Sequence, residues 1–69
     1  MNGRRAPMPS DAEVLHYVTT EPQIVVRIAN QVGADVFDVE RVLRELAKRG
    51  AVVYHPSGMG IPVMWSAAR

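Results

Sequence analysis

The feature of this sequence that most constrains its fold is a very short break between two amphipathic segments, at residues 33–35. Apolar residues with helical spacing run from Ile24 to Val32, and Gly33 stands where a glycine commonly ends a helix. Asp35 is a favourable N-cap for the next helix, which we predict over residues 36–49. Two helices joined by so short a turn cross steeply, so the sequence predicts a helix-turn-helix.

Two capping patterns precede this motif. Ser10-Asp11-Ala12-Glu13 is a capping box and predicts a first helix that extends to about Val18. Thr20-Glu21-Pro22-Gln23 has the same pattern, with proline in the first turn, and predicts the start of the second helix. Residues 1–9 are predicted to be a flexible arm, residues 10–66 the folded domain and residues 67–69 a C-terminal tail.

After Gly50 the apolar pattern changes from helix to strand. Val52-Val53-Tyr54 and Val63-Met64-Trp65 predict two antiparallel strands joined by a long, glycine-rich loop at residues 55–62. Trp65 is the largest group available to anchor this hairpin on the helices, although a stacking platform for a base is the alternative. The predicted fold class is α+β, a small winged helix-turn-helix in which three helices precede a two-stranded antiparallel hairpin, the wing.

Composition limits the classes of function. The chain has no cysteine and two histidines, so we expect no metal site and no cofactor. No nucleophile, base and orienting group can be proposed together, so we do not expect an enzyme. No apolar stretch approaches the ~20 residues that span a membrane, and no signal peptide is evident, so a cytoplasmic protein is expected. The net charge is only +1, so DNA binding must depend on where the charges lie.

The segment Arg41-Val42-Leu43-Arg44-Glu45-Leu46-Ala47-Lys48-Arg49-Gly50 resembles recognition helices of the winged helix-turn-helix superfamily, including MarR-like bacterial regulators. It is also similar to the third helix of the Z-alpha domain, and Ile61-Pro62-Val63-Met64-Trp65 resembles the end of that domain's wing. The Z-alpha family has asparagine at the position of Glu40 and tyrosine at that of Arg44. The resemblance therefore implies the fold, and not the recognition of left-handed DNA.

We predict that this chain is a small transcription regulator whose partner is double-stranded DNA. The helix at residues 36–49 is expected to enter the major groove. Arg41 and Arg44 are suited to guanine edges or phosphates, Phe37 to a thymine methyl or a sugar, and Glu40 to cytosine. The predicted DNA-contacting residues are Phe37, Glu40, Arg41, Arg44, Lys48, Arg27, His55 and Ser57. The alternative is that these are ordinary solvated positions, with Glu40–Arg44 and Arg41–Glu45 as stabilising pairs.

The wing supports a second hypothesis. Residues 56–62 contain no lysine or arginine, whereas Met59, Ile61 and Pro62 are apolar. This tip either docks on a partner protein or a second copy of the chain, or folds back on its own domain. The chain would then be an interaction module or a subunit of a larger assembly. Arg4 and Arg5 of the arm are a further candidate for minor-groove contact, with plain disorder as the alternative.

Overall fold

The computed structural model of this chain describes residues 8–68. Three helices precede an antiparallel sheet, and the elements are α1 Asp11–Tyr17, α2 Val25–Val32, α3 Val36–Lys48, β1 Val52–His55 and β2 Met64–Ala67. The predicted α+β winged helix-turn-helix layout is therefore confirmed. In the described part of the chain no helix is both long enough and apolar enough to cross a membrane.

Helix α1 begins at the predicted capping box. The Ser10 hydroxyl accepts a hydrogen bond from the Glu13 amide at 3.1 Å, and the Glu13 carboxylate accepts one from the Ser10 amide at 2.9 Å. Pro9, which the sequence pattern places in the flexible arm, is instead buried, as an apolar residue just before an N-cap often is. The folded domain therefore includes Pro9. Residues 1–7, with Arg4 and Arg5 of the predicted arm, and residue 69 lie outside the described residues.

The start of α2 differs from the prediction. The helix begins at Val25, with Ile24 as its N-cap and no side-chain capping bond, so Thr20 does not cap it. Gln23 instead forms an antiparallel bridge with Trp65 of β2, through two backbone hydrogen bonds of 2.9 and 2.8 Å. A helix capped at Thr20 would include Gln23 in its first turn. Because the backbone of Gln23 is extended and paired with Trp65, the helix starts later.

The turn between α2 and α3 forms as predicted. Gly33 has a φ of 80°, in the left-handed region, and its amide donates to the Ala29 carbonyl at 2.8 Å. The Asp35 carboxylate accepts from the amides of Phe37 and Asp38, at 2.9 and 3.3 Å. These two caps orient α3 relative to α2 and so define the helix-turn-helix.

The hairpin closes the core over the three helices. Trp65 is only 2% exposed, which confirms its predicted role as the anchor of the hairpin. Strand β2 begins after Val63 and continues to Ala67, which pairs with Val52 and belongs to the domain rather than to a tail. The buried apolar core includes Val14, Val18, Ile28, Ala29, Val39, Val42, Leu43, Leu46, Val52, Trp65 and Ala67.

The wing ends in a tight turn within the predicted loop. Gly58 and Ile61 exchange backbone hydrogen bonds of 3.0 and 2.8 Å, which leaves Met59 and Gly60 as a two-residue turn. Both residues have positive φ, 54° and 78°, as in a type I′ turn. The Met59 side chain is fully exposed and touches nothing of its own domain, so this residue does not fold back.

Candidate nucleic-acid interface

Helix α3 has one buried side and one solvent-facing side. Val39, Leu43 and Leu46 are buried in the core. The predicted contact residues Phe37, Arg41, Arg44 and Lys48 are exposed, and Phe37 is 77% exposed. A helical period explains this division, because residues three and four apart lie on the same side. The structure thus brings the predicted α3 contacts together on one surface.

The charges of this surface are partly paired. Arg44 donates to Glu40 at 2.8 Å, and Lys48 lies 3.6 Å from the Glu45 carboxylate. The predicted Arg41–Glu45 pair does not form, because Glu45 is turned to Lys48. Within the described residues Arg41 has no hydrogen bond or ion pair. Arg41 is therefore the cation of α3 that a ligand reaches without displacing an internal partner.

An open groove of about 620 Å³ lies on the surface where α3 and the hairpin meet. The α3 wall carries three cations and one carboxylate, and the hairpin wall carries two aromatic rings. The residues that line it are Arg41, Arg44, Glu45, Ala47, Lys48, Tyr54 and Trp65. A groove with a cationic wall and an aromatic wall suits a ligand that is both anionic and flat or apolar in part, such as a nucleic-acid strand.

Tyr54 is the residue of this groove that sequence reasoning missed. It is directly opposite Trp65 in the hairpin register, with ring centroids 5.1 Å apart and planes inclined by 59°. Because Trp65 is buried and Tyr54 is 46% exposed, Tyr54 is the ring that meets solvent. The alternation of side chains along a strand offered a signal, since directly paired residues lie on the same face.

A second, smaller depression of about 270 Å³ lies beside the groove. Phe37, Glu40, Arg41 and Arg44 line it, so the two features share both arginines. Together they form a continuous surface along the exposed side of α3, which we call the α3 face. It is defined by Phe37, Glu40, Arg41, Arg44, Glu45, Lys48 and Tyr54.

The other predicted contact residues lie apart from the α3 face. Arg27 lines a separate depression with Glu21, Gln31 and other residues. The His55 ring is hydrogen-bonded to the Ser66 hydroxyl, with Nε2 and Oγ 2.8 Å apart, and is partly buried. Ser57 is exposed in the wing loop. None of the three lines the groove or the adjoining depression.

Metal chemistry has no evident site in the part of the chain that is described, where no cluster of three or more histidine, aspartate or glutamate residues could hold an ion. The α3 face offers hydrogen-bond donors, exposed rings and the guanidinium of Arg41, which has no partner in the described range, and these groups suit binding to a polyanion. Comparison with protein-family models, with curated proteins and with solved structures found no significant match to this chain.

Proposed function

We propose that this chain binds double-stranded DNA as a small transcription regulator, with α3 in the major groove. The observation that carries the proposal is the clustering of Arg41, Arg44 and Lys48 along one exposed side of the second helix of a helix-turn-helix. In this motif the second helix is the one that enters the groove, and cations on its exposed side neutralise phosphates.

The pairing of the charges suggests a role for each. Arg44, held by Glu40, has a guanidinium of restricted orientation, which suits two hydrogen bonds to the O6 and N7 atoms of guanine. Among residues 8–68 Arg41 has no internal partner, and Lys48 is at the end of the helix, so both suit phosphates. Phe37, at the beginning of α3, suits a thymine methyl group.

The magnitude of binding follows from the charge. A net charge of +1 gives little long-range attraction, and Glu40 and Glu45 oppose close approach of phosphates. We therefore expect affinity to depend on a few local contacts, with about three to five phosphates neutralised per protomer.

Fluorescence anisotropy of a labelled duplex, titrated with the protein at several salt concentrations, tests this proposal. We expect the logarithm of the binding constant to fall linearly with the logarithm of salt concentration, with a slope of about −2.7 to −4.5 for three to five neutralised phosphates. Arg41→Ala should reduce the magnitude of this slope by about 1. Arg49→Ala is the charge-matched control, because Arg49 is paired with Asp11 and does not line the groove. No binding, or a slope near zero, would overturn the proposal.

The wing tip supports a second candidate function, an interaction module that docks on a protein partner or a second copy of the chain. The observation is the complete exposure of Met59 and the 56% exposure of Ile61 on a turn without lysine or arginine. Sedimentation of the wild type and of Met59→Ser over a wide concentration range tests self-association. The candidate predicts a dimer that Met59→Ser converts to a folded monomer, whereas a variant that fails to fold would contradict it.

A further inference from the structure

The hairpin side of the groove carries a tyrosine that is 46% exposed. Tyr54 lines the groove together with Arg41, Arg44 and Lys48. Its ring rests against Trp65, and its hydroxyl forms no hydrogen bond within residues 8–68. A half-exposed tyrosine fixed by a buried ring has little rotamer entropy to lose on binding and offers one free donor.

The wing tip lacks the chemistry for a phosphate contact, since residues 56–62 contain neither lysine nor arginine. The shaft of the wing, by contrast, places Tyr54 across the groove from the cations of α3. A chain of sugars and phosphates fits this pairing, because sugar carbons pack on an aromatic ring while phosphate oxygens accept from guanidinium, ammonium and phenol groups.

The groove is open and adjoins the depression at Phe37 through the shared Arg41 and Arg44. Its shape favours an extended polymer over a small ligand, because small-molecule sites enclose most of their ligand. An open, positively charged channel is an arrangement by which proteins follow a nucleic-acid backbone.

We propose that the groove between α3 and β1 holds the sugar–phosphate backbone of one DNA strand, and that Tyr54 donates its hydroxyl to a phosphate there. The shaft of the wing, rather than its tip, then makes the wing's contact with DNA. This inference rests on the proposed function and adds a contact that is independent of base sequence. It also makes Trp65, the single tryptophan of the chain, a reporter for occupancy of the groove.

The test uses Tyr54→Phe, which keeps the ring against Trp65 and removes only the hydroxyl, so folding is preserved. Loss of a hydrogen bond to a charged group predicts affinity weaker by about 10-fold for every duplex sequence. The salt slope should stay unchanged, because the hydroxyl carries no charge and releases no counterion. Val53→Ala is the matched control: Val53 is adjacent on the same strand, is exposed, and does not line the groove.

Titration of the wild type with unlabelled duplex should change the intensity or wavelength of Trp65 emission, and this second measurement needs no variant. If Tyr54→Phe binds as tightly as wild type while Arg44→Ala is weakened, the Tyr54 contact is wrong and DNA binding by α3 stands. Unchanged Trp65 emission at saturating duplex would also overturn the groove contact. If the wild type binds no duplex at low salt, the proposed function fails, and this inference fails with it.

Discussion

Gln23 and Trp65 exchange two backbone hydrogen bonds, at 2.9 and 2.8 Å, and thereby join the wing to the segment that leads into α2. This bridge and the buried Trp65 ring both connect the wing to the helices. The position of β1, and with it of Tyr54 opposite α3, depends on both connections. The contacts of Gln23 and Trp65 therefore contribute both to the stability of the fold and to the geometry of the α3 face.

Replacing Trp65 with alanine should cost about 3–5 kcal/mol in the free energy of unfolding, because it leaves a large cavity in the core. A domain of this size has roughly 3–10 kcal/mol in total, so Trp65→Ala should be largely or fully unfolded. Urea denaturation followed by circular dichroism measures the effect. Phe37→Ala is the control, since Phe37 is 77% exposed and its loss should change stability by no more than about 0.5 kcal/mol. Equal effects of the two variants would contradict the assignment of the core.

Gly33 and Gly58 should respond differently to replacement by alanine. In both cases an added Cβ meets no atom within 4 Å, but only Gly33 of the two has positive φ. Gly33→Ala should therefore destabilise by about 1–2 kcal/mol through backbone strain alone. Gly58→Ala should be neutral, or stabilising by up to about 1 kcal/mol, since it restricts the unfolded chain. Thermal unfolding of the two variants distinguishes them. A thermal midpoint of Gly33→Ala equal to that of the wild type would contradict the left-handed backbone conformation of Gly33.

Met59 has a φ of 54° at the wing tip, a backbone conformation that methionine rarely adopts. Asparagine is preferred before glycine in a type I′ turn, so Met59→Asn should raise the free energy of unfolding by about 0.5–1 kcal/mol. Chemical denaturation is the measurement, with Met59→Ser as the comparison for loss of the side chain alone. A gain of the same size in Met59→Ser would mean that exposure of the methionine, and not turn geometry, limits stability.

Arg44 and Lys48 should affect DNA binding differently. Under the proposed function, Arg44→Ala should cost about 1–3 kcal/mol and relax the preference for one base pair, because a bidentate contact to guanine is lost. Lys48→Ala should weaken all sequences alike and reduce the salt slope by about 1. Binding to a panel of duplexes with single base-pair changes separates the two patterns. If Arg44→Ala also weakens binding to all duplexes alike, Arg44 contacts a phosphate and not a base.

Glu40 is expected to restrict DNA binding as well as to orient Arg44. Glu40→Gln removes a negative charge from the α3 face and weakens the hold on the guanidinium. We therefore expect tighter non-specific binding and poorer discrimination between duplexes. Glu21→Gln has the same change in charge but lies at a separate depression, and it serves as the control. Identical behaviour of the two variants would show that only total charge matters.

Much of this fold follows from short stretches of sequence. The capping box at Ser10, the glycine end of α2 at Gly33 and the cap of α3 at Asp35 all appear as predicted. Each of these features involves residues within about four positions of one another, so local backbone geometry is sufficient to specify it. The predicted sharing of one α3 surface by Arg41, Arg44 and Lys48 has the same origin, the helical period.

Other features depend on residues that are distant in sequence. The late start of α2 results from the bridge between Gln23 and Trp65, and the extension of β2 to Ala67 from its pairing with Val52. Tyr54 lines the groove because its ring packs against Trp65 of the paired strand and because the hairpin lies beside α3. Local patterns could not predict these arrangements, because they depend on hydrogen bonds and packing between distant segments. At the start of α2 these interactions outweigh the local capping preference of Thr20.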